Sequence, residues 1–233
     1  MIKIIQSHTI DLCPCTYPGC KRNSISCIDK NGNLTENSQF CYKHTKEPEK
    51  AKNDLLKYIS ENQKIVGLNC SGITFSKSAL GGHRFYGCDF SHCFFSELDC
   101  VQIHCRMCKF DFTVFTDCNL IQSNMQFCSF AGTKLIHVLF TGSDLIQDNF
   151  NGLSSYQSSF DDSDLYNSRF IRSHLVDTSI RNCNIKKTVF FEAQTNNVSF
   201  KLSNTNEAIF DKRGSALFTG DAEENSLTNT GAN

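Results

Sequence analysis

The sequence predicts an all-β solenoid of about seven coils, preceded by a small Cys/His module and a capping helix. Three observations carry that reading. Phe90, Phe110, Phe130, Phe150, Phe170, Phe190 and Phe210 recur at intervals of twenty residues without a miss, in a chain holding only 20 phenylalanines. The interval subdivides by five: Phe75, Leu80, Phe85 and Phe95 open a series of bulky apolar residues that continues through Leu120, Met125, Leu145, Leu165 and Ile185 in one phase. Two residues before most members stands a compact side chain, as at Cys88, Thr113, Ser143, Ser168 and Cys183.

A period of five is neither the 3.6 of a helix nor the 2 of a long strand, so an internal repeat has to be considered first. If each unit is a short extended segment followed by a corner, residues i−2 and i point inward and the other three point out. Four units close one coil. Coils stacked at the strand spacing of about 4.8 Å set the phenylalanines in a column on one face, and seven of them span roughly 34 Å. Each buried Phe or Leu contributes about 1.5–3 kcal/mol, so these columns are the stability of residues 65–210.

Units such as Cys88-Asp89-Phe90, Cys118-Asn119-Leu120, Ser143-Asp144-Leu145 and Cys183-Asn184-Ile185 place a small residue, then Asn or Asp, then the bulky apolar group. This pattern resembles the pentapeptide-repeat family. The resemblance implies a right-handed quadrilateral β-helix, the handedness coming from the family alone. Some members of that family shield bacterial type II topoisomerases such as gyrase by imitating the size and negative potential of duplex DNA. Those rods are distinctly acidic, whereas residues 65–210 here carry 11 basic against 13 acidic residues. The first expectation is therefore a non-enzymatic protein-binding or scaffold module. A DNA-mimic modulator of a type II topoisomerase is the alternative, and fold alone decides neither.

Of the fourteen cysteines, nine (Cys70, Cys88, Cys93, Cys100, Cys105, Cys108, Cys118, Cys128, Cys183) fall on inward positions of the repeat and read as core packing. A thiol-lined core favours a reducing compartment. The other five precede the repeat. Cys15-Thr-Tyr-Pro-Gly-Cys20 sets two thiols on either side of a Pro-Gly turn, and Cys41-Tyr-Lys-His44 supplies a second pair. Three Cys and one His make a closed tetrahedral set, so Cys15, Cys20, Cys41 and His44 are the candidate ligands of a structural Zn²⁺, with Cys13 and Cys27 as rival ligands. The arrangement looks like the small treble-clef-type zinc modules. Such a site can supply on the order of 10 kcal/mol of folding free energy to a segment with almost no apolar core. Between the two halves, Lys30-Asn-Gly-Asn33 suggests a hairpin tip.

The domain layout that follows is a Cys/His module over 1–45, a capping helix and linker over 46–64, the β-helix over 65–210 and a disordered polar tail over 211–233. The helix is expected over 46–62, with Thr45 as N-cap, Pro48 in the first turn, and Ala51, Leu55, Leu56 and Ile59 on one face. It would cover the unpaired edge of the first coil. Thr195 and Thr205 replace Phe or Leu at inward positions near the far end, so the last coils lose apolar fill. Two polar residues break the inward pattern. His83 lies near the first coil, and Asp148 stands beside the weak unit Gly152-Leu-Ser-Ser155, where a local bulge is expected to carry the carboxylate out.

The net charge of −1 predicts neither nucleic-acid nor membrane attraction. The opening MIKIIQSHTIDLC is too short in apolar length for a secretory signal, and no segment reaches a membrane span, so a cytoplasmic protein is expected. No Ser/His/Asp set or phosphate loop is defensible, and Gly81-Gly82 is a corner doublet. Outward positions give two signals for a partner. Residues 110–168 hold seven acids, Asp144, Asp161, Asp162 and Asp164 among them, against Lys134 alone. Phe94, Phe112 and Val114 should cluster outside one corner, with Ile171 and Phe191 one coil apart on the same side.

Overall fold

In a computed structural model of the protein, residues 13–35 and 38–210 are described. The expected tail over 211–233 and the first twelve residues lie outside them. From Ile65 onward the chain winds as a β-solenoid of about seven turns, with every fifth side chain and the one two before it turned to the axis. The register is parallel and the offset is twenty residues throughout: Phe75 pairs with Phe95, Phe95 with Phe115, and Leu135 with Ser155. One face is a seven-stranded parallel sheet running from Thr74–Ser76 to Gln194–Asn196. A second is a four-stranded sheet of Lys64–Val66, Arg84–Tyr86, His104–Arg106 and Asn124–Gln126. The remaining faces are held by single bridges such as Lys109 with Ser129 and Asn119 with Leu139.

Between the sides the backbone turns through residues in the left-handed region, among them His92, Gln102, Phe112, Gln122 and Asn167. Such φ values are uncommon for non-glycine residues and each stores strain. They persist because each corner amide is bonded to the coil beyond it, as Phe112 N–H is to the Ala131 carbonyl at 2.8 Å. The phenylalanine column behaves as the spacing demands. From Phe110 to Phe210 successive rings lie 4.7–5.0 Å apart, nearly parallel, matching the strand spacing. A second column runs Phe75, Phe95, Phe115 at 4.8 Å.

Compactness is only half of what the i−2 position supplies. Its side chain also donates to the carbonyl 23 residues earlier, on the preceding coil: Thr113 to Phe90 at 2.7 Å, Ser163 to Phe140 at 2.8 Å, Thr188 to Leu165 at 2.7 Å, and Cys183 to Phe160 at 3.0 Å. Several of these hydroxyls accept in turn from the i−2 amide of the coil before, as Ser163 Oγ does from Ser143 N–H at 3.0 Å. The inward carbonyls and amides that strand pairing leaves over are thereby satisfied.

Asp148 corrects an expectation. There is no bulge: the phase holds through Leu145, Phe150 and Ser155, and Asp148 is fully buried. Its Oδ1 accepts from Cys128 N–H at 2.7 Å, the role a hydroxyl fills elsewhere in the stack, so the carboxyl replaces a hydroxyl without disturbing the winding. Oδ2 has no partner, and burial pushes the carboxyl well above its ordinary range. The neighbouring unit is also regular, with its sizes exchanged. Leu153 occupies the small position, and Ser155 occupies the large one with its hydroxyl 2.9 Å from that of Thr178.

The nine repeat cysteines are all buried. Burial pushes the thiols of Cys70, Cys93, Cys100, Cys118 and Cys183 up, Cys183 to about 11, so these five act as packing and not as nucleophiles. Cys100 and Cys105 occupy two of the four large positions of one coil, and a cavity of about 20 Å³ opens beside them.

The helix, α1, spans Pro48–Glu61 and begins later than expected. Glu47, not Thr45, is the N-cap, and it makes no side-chain capping bond. Proline disfavours helical torsions in the residue before it, and Glu47 accordingly sits at φ −127° and ψ 71°. Leu55 and Ile59 are buried in one core with Ile65, Leu68 and Phe85, while Ala51 and Leu56 pack at its margin. His83 is buried under the helix, its Nε2 lying 3.2 Å from the Ile59 carbonyl. At the opposite end Ala193, Thr195, Thr205 and Phe210 are only half-buried.

Candidate metal centre and outward surface

The N-terminal module is built from two turns and a hairpin. Tyr17-Pro18-Gly19-Cys20 closes on a Cys20 N–H bond to the Tyr17 carbonyl at 3.0 Å, with Gly19 at φ +77° as this turn requires. A second tight turn brings His44 N–H to the Cys41 carbonyl at 2.9 Å. The hairpin pairs β1 (Cys27–Ile28) with β2 (Leu34–Thr35), antiparallel. At its tip Asp29 accepts from the amides of Asn31 and Asn33, both at 2.8 Å.

These turns bring Cys15, Cys20, Cys41 and His44 together, with all four ligand atoms within 4.8 Å of one another. Cys15 Sγ lies 3.5 Å from His44 Nδ1, Cys41 Sγ lies 3.4 Å from the same nitrogen, and the sulfurs of Cys20 and Cys41 are 3.9 Å apart. A tetrahedral zinc with bonds of about 2.3 Å to sulfur and about 2.1 Å to nitrogen separates its ligands by about 3.8 Å (S to S) and about 3.6 Å (S to N). The observed edges fit that size. Burial pushes the Cys15 thiol up, but backbone hydrogen bonds at Cys41 and Tyr17, with His44 and Cys20 close by, outweigh it and bring the thiol down to about 6. The Tyr17 ring stacks on His44 at 3.9 Å and fixes the imidazole plane.

Cys13 and Cys27 do not join the cluster. Cys27 is held in β1 and lines the groove between the hairpin and α1, where burial raises its thiol. The module is docked on the first coil by two hydrogen bonds: Ser26 N–H donates to the Asn69 carbonyl at 2.9 Å, and Asn69 N–H donates to Ser26 Oγ at 2.9 Å. Ile25 beside it is fully buried in the common core.

On the outer surface Phe94 and Val114 are in register one coil apart. Phe112 is 60% exposed, but its position is fixed: the ring stacks on His92 at 5.2 Å and lies over Gly132, where an added Cβ would meet ring carbons at 2.8 Å. Ile171 is half-buried and Phe191 is exposed. The acids do not form one continuous stripe. Asp144 and Asp164 are in register, but Asp161 is tied to Arg181 through Nη2 at 2.8 Å, and Asp148 is interior. No helix among the described residues is long and apolar enough to cross a membrane.

A solenoid of inward fifth residues with a twenty-residue register is the architecture of pentapeptide repeats, and the comparisons agree. Residues 133–210 match the description "Pentapeptide repeat region", and residues 108–152 match "Pentapeptide repeats (8 copies)". Residues 108–210 are thus a pentapeptide-repeat region. No curated protein matches it in sequence. Among solved structures it is similar to the pentapeptide repeat protein Rfr23 from the cyanobacterium Cyanothece 51142, at 11% identity over 69% of this chain and 100% of that one, with a TM-score of 0.40. It is also similar to a trypsin-treated form of QnrB1, a plasmid-mediated fluoroquinolone resistance protein (15% identity, 63% and 76% coverage, TM-score 0.32). HetL, involved in heterocyst differentiation regulation in Nostoc sp. strain PCC 7120, is similar at 13% identity, 69% and 97% coverage and a TM-score of 0.28.

Proposed function

We propose that the protein is a non-catalytic scaffold: a pentapeptide-repeat rod whose first coil is closed by a zinc-stapled module and a helix, and whose outward side chains bind a protein partner. The observation that carries this is the closed four-donor set of Cys15, Cys20, Cys41 and His44, set on a module that pairs with the open edge at Asn69. Four protein donors leave no coordination position for a substrate or an activated water, which is the signature of a structural and not a catalytic zinc. Bound there, the ion supplies cross-linking between two turns and no reaction chemistry. The module keeps the edge of the solenoid from pairing with other chains, as exposed strand edges otherwise do.

Metal analysis of the purified protein tests this. About one zinc per chain is expected, lost in Cys41→Ser, and chelation should unfold residues 13–45 while the rod's far-ultraviolet spectrum persists. Protein that folds fully without any metal refutes the staple. For the partner surface, Phe94, Phe112 and Val114 form the apolar element and Asp144, Asp161, Asp162 and Asp164 the acidic one. A type II topoisomerase as partner is the second reading, and the Asp144–Asp164 ladder is the feature in its favour. It predicts that gyrase supercoiling responds to the protein and that the response is lost when Asp144 and Asp164 are changed to Asn.

A further inference from the structure

The four-stranded sheet carries one outward column that can be followed down most of the rod. Lys64, Arg84, His104, Asn124, Asp144, Asp164 and Asn184 stand one above the other, each in register with the next. Like charges stacked at about 4.8 Å repel. Other columns bring opposite charges together across coils: Lys77 faces Glu97, His137 faces Asp117, Arg172 faces Glu192 and Arg181 faces Asp161. In this column Lys64 stands against Arg84 and Asp144 against Asp164. Among the described residues neither Lys64 nor Arg84 has an ion-pair partner, and the two acids are met by the side-chain amides of Asn124 and Asn184 at 2.9 and 3.0 Å. Along this column no charge meets its opposite on the next coil.

The order of the charges gives the reason. Counted outward from Asn124, the two halves are complements: His104 corresponds to Asp144, and Arg84 to Asp164. A two-fold axis through Asn124, lying in the face and perpendicular to the rod, sets each of these residues opposite its complement on an antiparallel second copy. We propose that this face associates side by side with a second copy of the chain. The same axis places Arg106 opposite Ile146, Tyr86 opposite Tyr166, and Phe127 opposite its own copy. Phe127 and Met107, at the corner that borders this face, are 41% and 58% exposed, so apolar side chains flank the contact near its midpoint and charged ones lie toward its ends. Lys64 and Arg106 lie over the rings of Tyr86 and Phe127, at 5.5 and 5.3 Å, which holds both cations close to the face. Lys186, which the axis brings toward the Lys64 end, is already paired with Glu207 at 2.8 Å.

Six coil steps make the strip about 29 Å long. At about 10 Å in width it covers roughly 300 Å² per copy, against about 800 Å² in a standard interface, so the dimer is weak and in exchange with single chains. The proposal is independent of the metal centre. It uses Asp144 and Asp164 but not the Phe94, Phe112 and Val114 surface.

Sedimentation equilibrium of the full chain, from micromolar to millimolar and at low and high salt, tests it. The mass should rise toward two chains with concentration, and salt should weaken the association. Arg84→Asp alone, or Asp164→Arg alone, sets like charges across the axis and should weaken association about tenfold or more. Arg84→Asp also gives Lys64 an opposite-charge neighbour, so its melting temperature should hold or rise, which separates lost association from misfolding; Asp164→Arg gives up the bonds from Tyr166 N–H and Asn184 and is read well below its own melting temperature. The double variant R84D/D164R restores complementarity and should restore the dimer. A single-chain mass at every concentration overturns the proposal. So does association that survives the single reversals, a double reversal without rescue, or a dimer abolished by Phe112→Ala, which would put the contact on another face.

Discussion

Replacing Asp148 by serine should stabilise the protein, and the gain should grow with pH. The carboxyl is fully buried, makes one bond through Oδ1 to Cys128 N–H, and leaves Oδ2 without a partner. Its pKa is raised in the fold, far above 3.8, first because of burial. A group whose folded pKa is raised binds its proton more tightly folded than unfolded. Its contribution to stability is therefore greatest below the unfolded value and declines as pH rises toward the folded one. Within that window the slope approaches about 1.4 kcal/mol per pH unit for one proton. A serine hydroxyl can keep the bond to Cys128 N–H, as Ser168 Oγ does for Asp148 N–H at 2.9 Å, and it does not ionise. The wild type should thus approach the variant in acid and fall behind it by up to about 1.4 kcal/mol for each further unit of pH. Paired thermal melts across this range measure the difference, in which all other titrations, those of the metal ligands included, cancel. A difference that stays constant with pH would refute the assignment of Asp148 as a buried, proton-retaining carboxyl.

Phe150→Ala should cost about 3–5 kcal/mol, because the ring is fully buried between Phe130 and Phe170 at 4.9 and 4.7 Å; calorimetric melting reads the loss. Cys100→Leu should raise stability by about 1 kcal/mol by filling the cavity between Leu80 and Leu120, and a lowered melting point would mean that the coil cannot accept the extra volume. His137 Nδ1 faces Asp117 Oδ1 at 3.0 Å and Nε2 faces Gln157 Oε1 at 2.9 Å, so both nitrogens donate and the imidazolium is favoured. Its pKa is raised above 6.5, first by the Asp117 bond and then by the Gln157 bond. This contribution to stability is present below 6.5 and fades as pH rises through the folded value; NMR titration should show the elevated pKa, reduced in Asp117→Asn.

The winding was legible because one residue in five is fixed by volume, and a phase that never slips from Phe75 to Phe210 admits one way of closing the coil. What the linear chain hid were contacts between coils. Cysteine, serine and threonine at the i−2 position read as merely small, whereas their donation to a carbonyl 23 residues away appears only once the register is in hand. Asp148 read as a bulge for the same reason, since nothing in its neighbours in sequence announces the Cys128 amide that receives it. The start of α1 was misplaced because capping propensity favoured Thr45, while the torsional demand of Pro48 on Glu47 governs locally. Cys15, Cys20, Cys41 and His44 could be picked out by spacing around two turns. Setting Cys27 aside required the hairpin, whose pairing with Thr35 holds that cysteine in the strand.

The constant offset of twenty residues also limits how such a chain can change its length. Adding a whole coil lengthens the rod and leaves each column on its own side. Adding a single five-residue unit preserves the interior equally well but turns everything downstream by a quarter revolution, carrying Asp144 and Asp164 around to a side that Arg84 never sees. Two chains with identical cores can thus differ wholly in what their flanks present, and the mark of the change would be five residues that leave packing untouched.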